Sequence, residues 1–277
     1  RWLFYKDVTF YINTLLPVGP ALAGRIMGKR VVYHYHENAF VKGTFYKVLA
    51  TIMQKLAHKI ICVSEYQASF LQQKKCVITV PNALPQNFVN RLTPNFQAAF
   101  KRKHILMLGS LKLYKSPLEF IELTKRLPQF IFVLVINDTK ENINIFIKEY
   151  KINISKNLTI YPQQNDVVPF YNQTSLVLNL SNKKQFVETF GLTALEAMSA
   201  GLPVIVPTEG GIAEMVVDGE NGYKIDVQNL NQIAECIKTI LSDETLYMEL
   251  AQNALAYSKR FSEAKMVNSI EMILNRK

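Results

Sequence analysis

Long apolar runs are missing from this chain. The longest, FIFVLVI at Phe130–Ile136, falls far short of the ~18 residues of a membrane-spanning helix. It reads as a buried strand, and a spanning helix is excluded. Cysteine is scarce as well. Cys62, Cys76 and Cys236 are scattered, odd in number and without metal-ligand spacing, which argues against a disulfide framework or a zinc site. Each sits in apolar company and reads as a buried reduced thiol, so a cytoplasmic location is expected. The Asn-x-Ser/Thr matches at Asn137, Asn153, Asn157 and Asn172 are then products of chance in an Asn-rich chain. There is no repeat of solenoid length and no low-complexity segment, and a secretory signal is not expected. The chain opens on Arg1 in mid-pattern rather than on Met, and it is expected to be a fragment whose beginning is missing.

Acidic residues are sparse in the first third. Residues 1–98 hold 12 Lys/Arg against 3 Asp/Glu, a balance of +9, whereas residues 99–277 hold 20 against 19, within a net charge of +10. Such asymmetry suggests two domains, the first facing something anionic: an acidic membrane surface, a phosphorylated acceptor or nucleic acid. Ordinary solubilising charge is the alternative. The basic residues are dispersed without aromatic interleaving or a recognised motif, which argues against nucleic acid.

What the chain does contain is alternation. With 277 residues and a hydrophobic fraction of 49%, it can bury one large core or two medium ones. DVTFYI, RVVYHYH, KIICVS and VITV (Val77–Val80) read as strands, separated by helical stretches near Gly19–Met27, Phe45–Ala57 and Glu65–Leu71. From about Lys103 the series restarts with HILMLGS. Next comes SPLEFIELTKRL, where Ser116, Pro117 and Glu119 predict a helix start with a capping box. FIFVLVI, a helix near Glu141–Tyr150, LTIY, a short helix near Val167–Asn172, LVLNL, PVIVP, GYKI and two long C-terminal helices complete it. Continuous apolar strands alternating with helices imply parallel sheets covered on both faces. Two such series predict two doubly wound α/β domains, residues 1–95 and 96–258, joined through the polar segment 86–103, with a helix in 259–277 returning to the first.

The stretch ETFGLTALEAMSAGLPVI, Glu188–Ile205, follows the strand at Leu176–Leu180. It reads as a loop, a turn at Phe190–Gly191 and a helix with Leu192, Leu195 and Ser199 along one face and Gly201 as its C-cap. Gly191 lets the backbone turn tightly and approach a ligand. The free N–H groups of the first helical turn, with the helix dipole, make an anion site at a strand's carboxyl end, where open α/β sheets bind ligands. Glu188 precedes the turn and Glu196 lies in the helix. Carboxylates repel phosphate but accept hydrogen bonds from sugar hydroxyls, so the pattern suggests phosphate on the turn and one Glu on each side. A solvated loop acid and a satisfied helix residue are the alternative.

Glu188-x7-Glu196 with FGLTALEAMSAGLPVIVP, followed by EGGIAEMVVDGENGYKI at Glu209–Ile225, resembles the signature of glycosyltransferase family 4. These are retaining, nucleotide-sugar-dependent enzymes with two Rossmann-like domains, the GT-B fold. VVYHYHEN, IICVSEYQASFL, VITVPNAL and RFSEAKMVNSIEMIL are weaker echoes across the rest of the chain. The resemblance implies an α/β fold of two doubly wound domains, the first incomplete, because the family's opening strand, Gly-rich turn and helix have no counterpart ahead of RWLFYKDVTFYIN.

The resemblance also implies roles. Glu188 inherits the donor sugar's hydroxyls, Glu196 the ribose, and the backbone N–H groups of Phe190, Gly191 and Leu192 the distal phosphate. The family carries an Arg and a Lys five apart on the loop after the second domain's first strand, where they neutralise the departing diphosphate. In LGSLKLYKS (Leu108–Ser116) Lys115 matches the Lys, Ser110 stands at the Arg position and Ser116 at a Gly position. Lys112 is the neighbouring candidate to supply the absent charge. His36 matches an acceptor-domain His near the donor sugar, with His34 competing for that role. Glu37 either binds acceptor or points to solvent. The turn at Glu209, Gly210 and Gly211 closes around the donor, and Glu214 braces it. The catalytic set is therefore Glu188, Lys115 and His36, and the donor-binding set Glu196, Phe190, Gly191, Leu192, Lys112 and Ser110. No metal or cofactor is called for, the donor being a UDP- or GDP-linked sugar. The expected acceptor is a glycan or a lipid-linked molecule in surface polysaccharide or glycoconjugate synthesis. Peripheral contact with an anionic membrane at its cytoplasmic face is expected, and nucleic acid is not a partner. Retention is read as front-face displacement. The alternative is a non-catalytic nucleotide-sugar or glycan-binding module, for which Ser110 argues.

Overall fold

Among the described residues every ladder between strands is parallel, so each strand is carried to the next by a crossover. The computed structural model describes residues 7–37 and 43–275. Two units separate by their contacts: Arg1–Ala83 with Val187–Phe190 and Phe261–Lys277, and Leu84–Phe186 with Gly191–Arg260.

The first unit begins with β1 (Thr9–Asn13), α1 (Val18–Ile26), β2 (Arg30–Tyr35), α2 (Thr44–Leu56), β3 (Lys59–Cys62), α3 (Glu65–Ser69) and β4 (Val77–Thr79), whose strands lie in the order β1-β2-β3-β4. β2 is buried at every position after Arg30, as a strand covered on both faces must be. The pleat divides it. Val31, Tyr33 and Tyr35 pack with Ala21 of α1 and Leu49, Ala50 and Met53 of α2. Val32 turns to the other face with Ile61 and Val80.

The second unit contains α4 (Gln86–Val89), α5 (Phe96–Arg102), β5 (His104–Gly109), α6 (Pro117–Arg126), β6 (Ile131–Ile136), α7 (Lys140–Glu149), β7 (Leu158–Tyr161), α8 (Val168–Asn172), β8 (Leu176–Leu178), α9 (Leu192–Ser199), β9 (Val204–Val206), α10 (Gly211–Glu214), β10 (Gly222–Lys224), α11 (Leu230–Ser242) and α12 (Glu244–Ser258). Its strand order is β10-β9-β8-β5-β6-β7. α13 (Glu263–Asn275) belongs to the first unit, where Ile273 packs on Val32, Ile61 and Val80 and Arg30 donates to the carbonyls of Ile273 and Leu274 at 2.5 and 3.0 Å. Three long helices thus follow β10, not two.

The division between Ala83 and Leu84 precedes the polar segment 86–103, which is packed against the second unit. Asn172 accepts from Thr93 N–H at 3.0 Å and donates to Arg91 O at 3.1 Å, and Ser175 Oγ donates to Ala99 O at 2.6 Å. Polarity here marks capping and turn groups rather than a linker. Asn157 is similarly occupied, its amide donating to the carbonyls of Thr124, Leu127 and Phe130.

Helices begin where short polar side chains cap them: Ser64, Asn95, Thr139, Asn229 and Asp243 each accept from a first-turn N–H. α6 does not follow the expected capping box. Ser116 stands at φ 58°, ψ 46° and makes no side-chain cap bond; its Oγ is buried without a partner. Capping needs an extended backbone that aims the hydroxyl at the third N–H, and the left-handed conformation turns it elsewhere.

Cys62 is buried, but Cys76 and Cys236 are half-buried, correcting the expectation of three buried thiols. Burial pushes Cys62 and Cys236 up to about 12, so both stay protonated and unreactive near neutrality. Among the described residues no helix is long and apolar enough to cross a membrane.

Candidate functional site

In the six-stranded sheet, β6 and β7 continue to one side of β5, while β8, β9 and β10 return on the other. The loops that leave β5 and β8 therefore diverge at the carboxyl edge, and the crevice between them is where such sheets bind ligands. These loops are stitched together. Asn182 N–H donates to Tyr114 O at 2.8 Å, and the Tyr114 and Phe186 rings stack with centroids 4.8 Å apart. Lys115 Nζ lies 4.3 Å from the Phe186 centroid and donates to Ser181 Oγ at 3.5 Å, so its cation is fixed over an aromatic face. Lys112, exposed, stands 5.7 Å from the Tyr114 ring. Ser110, half-buried, directly follows β5. The structure brings Ser110, Lys112 and Lys115 onto one side of this crevice.

α9 starts on the other side. Gly191 takes φ 95°, and a Cβ there would lie 2.4 Å from Ile212 Cγ1 on α10. Both the backbone angle and the close approach require glycine. The N–H groups of Ala194 and Leu195 return to Gly191 O. Those of Leu192 and Thr193 precede the first intrahelical bond, at the positive end of the helix dipole. Leu192 is 44% exposed, correcting the expected apolar face: the buried side is formed by Ala194, Leu195, Ala197, Met198 and Ser199. Asn179 ties the β8 loop to this turn, accepting from Ser181 N–H at 3.1 Å and donating to Thr193 Oγ1 at 3.3 Å.

Glu196 sits one turn along α9, half-buried. The Tyr171 hydroxyl on α8 donates to its Oε2 at 2.5 Å. Burial raises the Glu196 carboxyl above its ordinary pKa, with the Tyr171 hydrogen bond opposing it. Tyr171 is raised well above its own by burial and by the neighbouring carboxylate. Sequence reasoning did not find Tyr171. Its only signal was a tyrosine in a short helix ahead of a buried strand, and the bond spans 25 positions. Ile212 of α10 lies beneath Gly191, and the Tyr257 hydroxyl donates to Glu214 O at 3.3 Å.

In the first unit, His36 follows β2. Its Nε2–H donates to Asn13 Oδ1 at 2.8 Å, and its ring lies 4.1 Å from that of His34. The Tyr11 hydroxyl donates to His34 Nδ1 at 2.5 Å, while His34 Nε2 is buried without a partner. Burial, helped by His36, brings His34 down to about 4. Burial also lowers His36, with Glu37 opposing. The Glu37 carboxylate accepts from Leu15 N–H at 3.1 Å and its carbonyl from Gln67 at 2.8 Å, so it ties the turn after β1 to α3. Glu188 is half-buried in the segment Val187–Phe190, and Phe190 packs its ring edge-on against Phe261 at 5.8 Å.

An uncharacterized glycosyltransferase of Methanocaldococcus jannaschii is 36% identical over 86 residues, covering 31% of this chain and 24% of that protein. N-acetyl-alpha-D-glucosaminyl L-malate synthase of Bacillus anthracis is 30% identical over 142 residues, covering 51% of this chain and 36% of that protein. The matches thus span about a quarter and about a third of these curated relatives' own lengths. Among solved structures, Anabaena HepE in complex with UDP and glucose superposes with a TM-score of 0.80 at 20% identity, over 97% of this chain and 78% of that one. The likeness establishes the GT-B fold, with its two parallel α/β sheets. The family described as Glycosyl transferases group 1 matches residues 91–257, more than half of the sequence, and the chain belongs to that family.

Proposed function

We propose that the chain acts as a retaining glycosyltransferase whose second unit binds the donor. It moves a sugar from a UDP- or GDP-linked donor to a glycan or lipid-linked acceptor, in surface polysaccharide or glycoconjugate assembly in the cytoplasm. The observation that carries this reading is the β5/β8 crevice of the second unit. It combines a glycine-backed helix start, a cation fixed at Lys115 and a carboxylate oriented by Tyr171. Phosphate oxygens fit the helix start and Lys115, and ribose hydroxyls fit Glu196. HepE, a structural neighbour, is also solved in complex with UDP-glucose, a donor of this class.

In the reaction, the bond from the sugar's anomeric carbon to the diphosphate oxygen breaks and one to the acceptor oxygen forms on the same face. The acceptor's proton passes to the departing diphosphate. The first turn of α9 and Lys115 stabilise the charge that develops there, with Lys112 the nearby cation where Ser110 provides none. By resemblance, Glu188 takes the donor sugar's hydroxyls and His36 the part of the family's acceptor-domain His. Burial lowers the His36 pKa, with Glu37 opposing. Ser110 in place of a cation favours a second reading, a nucleotide-sugar-binding module without turnover.

Thermal unfolding with UDP, GDP, ADP and dTDP, beside Glu196→Ala, tests donor binding. A ligand at 100 times its Kd stabilises by about 2.7 kcal/mol. A shift with UDP or GDP, lost in the variant, supports the donor site. No shift in a chain that melts cooperatively rejects it. Donor binding without sugar transfer, when the full-length protein is supplied with acceptor, selects the module.

A further inference from the structure

The face of the first sheet that packs on α13 carries a cavity at its amino edge. The pleat puts Arg30 on the same face as Val32, Lys59 with Ile61 and Ile78 with Val80. On this face Ile273 of α13 packs with Val32, Ile61 and Val80. Arg30 opens β2 and Lys59 opens β3, so both cations stand at the end of the strands away from His36. Between them and α13 lies a cavity of about 750 Å³, whose lining residues all belong to the first unit. Sites for small organic molecules run from about 300 to 1,000 Å³.

The walls divide by chemistry. Arg30, His58 and Lys59 lie on the polar side, and Ile78, Val80 and Met272 supply apolar surface. Met272 is 55% exposed, a flexible thioether suited to an irregular apolar guest. No Asp or Glu lines the cavity among the described residues. The polar groups are donors. Arg30 is held in place by the carbonyls of Ile273 and Leu274, and Lys59 Nζ donates to Lys75 O at 3.3 Å. Val31 N–H donates to His58 Nδ1 at 3.0 Å, so the ring proton is on Nε2. Arg25 Nη1 lies 2.7 Å from that Nε2, and two N–H donors converging there favour an oxyanion beside them. A sugar or nucleotide matches poorly. Its hydroxyls need acceptors, and among the lining side chains those left are the Thr79 and Ser269 hydroxyls.

We propose that this cavity binds a small organic anion, an aromatic or alicyclic sulfonate, carboxylate or phosphate ester. Its oxygens meet Arg30, His58 and Lys59, and its apolar body lies against Ile78, Val80 and Met272. The inference stands on the cavity itself and does not depend on sugar transfer.

Titration calorimetry with naphthalene-1-sulfonate tests it, beside neutral 1-naphthalenemethanol and inorganic sulfate. The sulfonate is expected to bind once per chain, with the neutral probe and sulfate each at least about tenfold weaker. Met272→Glu, which sets a carboxylate at an exposed position of the wall, should weaken the sulfonate at least about tenfold. Lys59→Gln should weaken the sulfonate and leave the neutral probe unchanged, and it serves should the first variant fail to fold. The UDP or GDP shift in thermal unfolding should be the same in both variants as in wild type. The proposal is overturned if the sulfonate does not bind, if the neutral probe binds as tightly, or if both variants bind the sulfonate as wild type does. Displacement of the sulfonate by UDP or GDP would equally overturn it, by placing the probe in the second unit's crevice.

Discussion

The Tyr171 hydroxyl donates to Glu196 Oε2 at 2.5 Å, joining the helix before β8 to the helix after it. Tyr171→Phe keeps the ring and deletes this donor. Leaving a half-buried carboxylate short of a partner should cost about 1–3 kcal/mol of stability, read as a lower denaturant midpoint. Because burial raises Glu196 above its unfolded pKa, the native state holds a proton that the unfolded chain has released. Its contribution therefore falls as pH rises through the folded pKa, and Glu196→Gln should remove that slope. A Tyr171→Phe variant as stable as wild type would mean the bond contributes nothing.

Ser116 holds a left-handed backbone and a buried hydroxyl without a partner. Ser116→Gly relieves about 1–2 kcal/mol of backbone cost and removes an unsatisfied polar group. The looser unfolded chain offsets about 0.4–1 kcal/mol. A net gain of about 1 kcal/mol in equilibrium unfolding is expected; a loss would mean that the hydroxyl has a partner in solution.

His34 titrates at about 4 in the folded chain against 6.5 unfolded. Between those values the unfolded state binds the extra proton, so stability is complete above about 6.5 and declines as pH falls toward 4, at up to ~1.4 kcal/mol per pH unit. Its neighbours in the first unit are Tyr11 and His36, with Glu37 beside His36. Unfolding of His34→Gln from pH 4 to pH 8 should show a shallower decline than wild type. An identical pH profile would assign the acid sensitivity to other groups.

Lys115 is fixed over Phe186 whereas Lys112 stands exposed. If the crevice carries a diphosphate, Lys115→Ala should lower turnover of the full-length protein by about a hundredfold, as loss of one preorganised charge-stabilising group does. Lys112→Ala should cost less. Ser110→Arg should tighten UDP or GDP binding in calorimetry. Equal effects of the two lysine variants would mean that the fixed geometry of Lys115 has no special role.

The sheets were legible in the sequence because a parallel strand buried on both faces must be a continuous apolar run, as in FIFVLVI and the start of RVVYHYH. The helix start at Gly191 was legible because a positive φ and a close approach leave glycine little competition. By contrast, Ser-x-x-Glu before α6 read as a capping box and folded otherwise. The same letters serve an extended or a left-handed backbone, and Ser116 takes the left-handed one. Glu37 could not be assigned from its own position, because its use depends on Leu15 N–H, 22 positions earlier. What the chain determined by itself is therefore periodic or local: strand and helix order, the turn at Gly191 and the charge imbalance of the first 98 residues. What only the tertiary structure decided is which distant polar groups meet, Tyr171 with Glu196, Lys115 with Phe186 and Asn13 with His36. No period in a sequence records a hydrogen bond or ring contact that forms only once separate strands have been packed side by side.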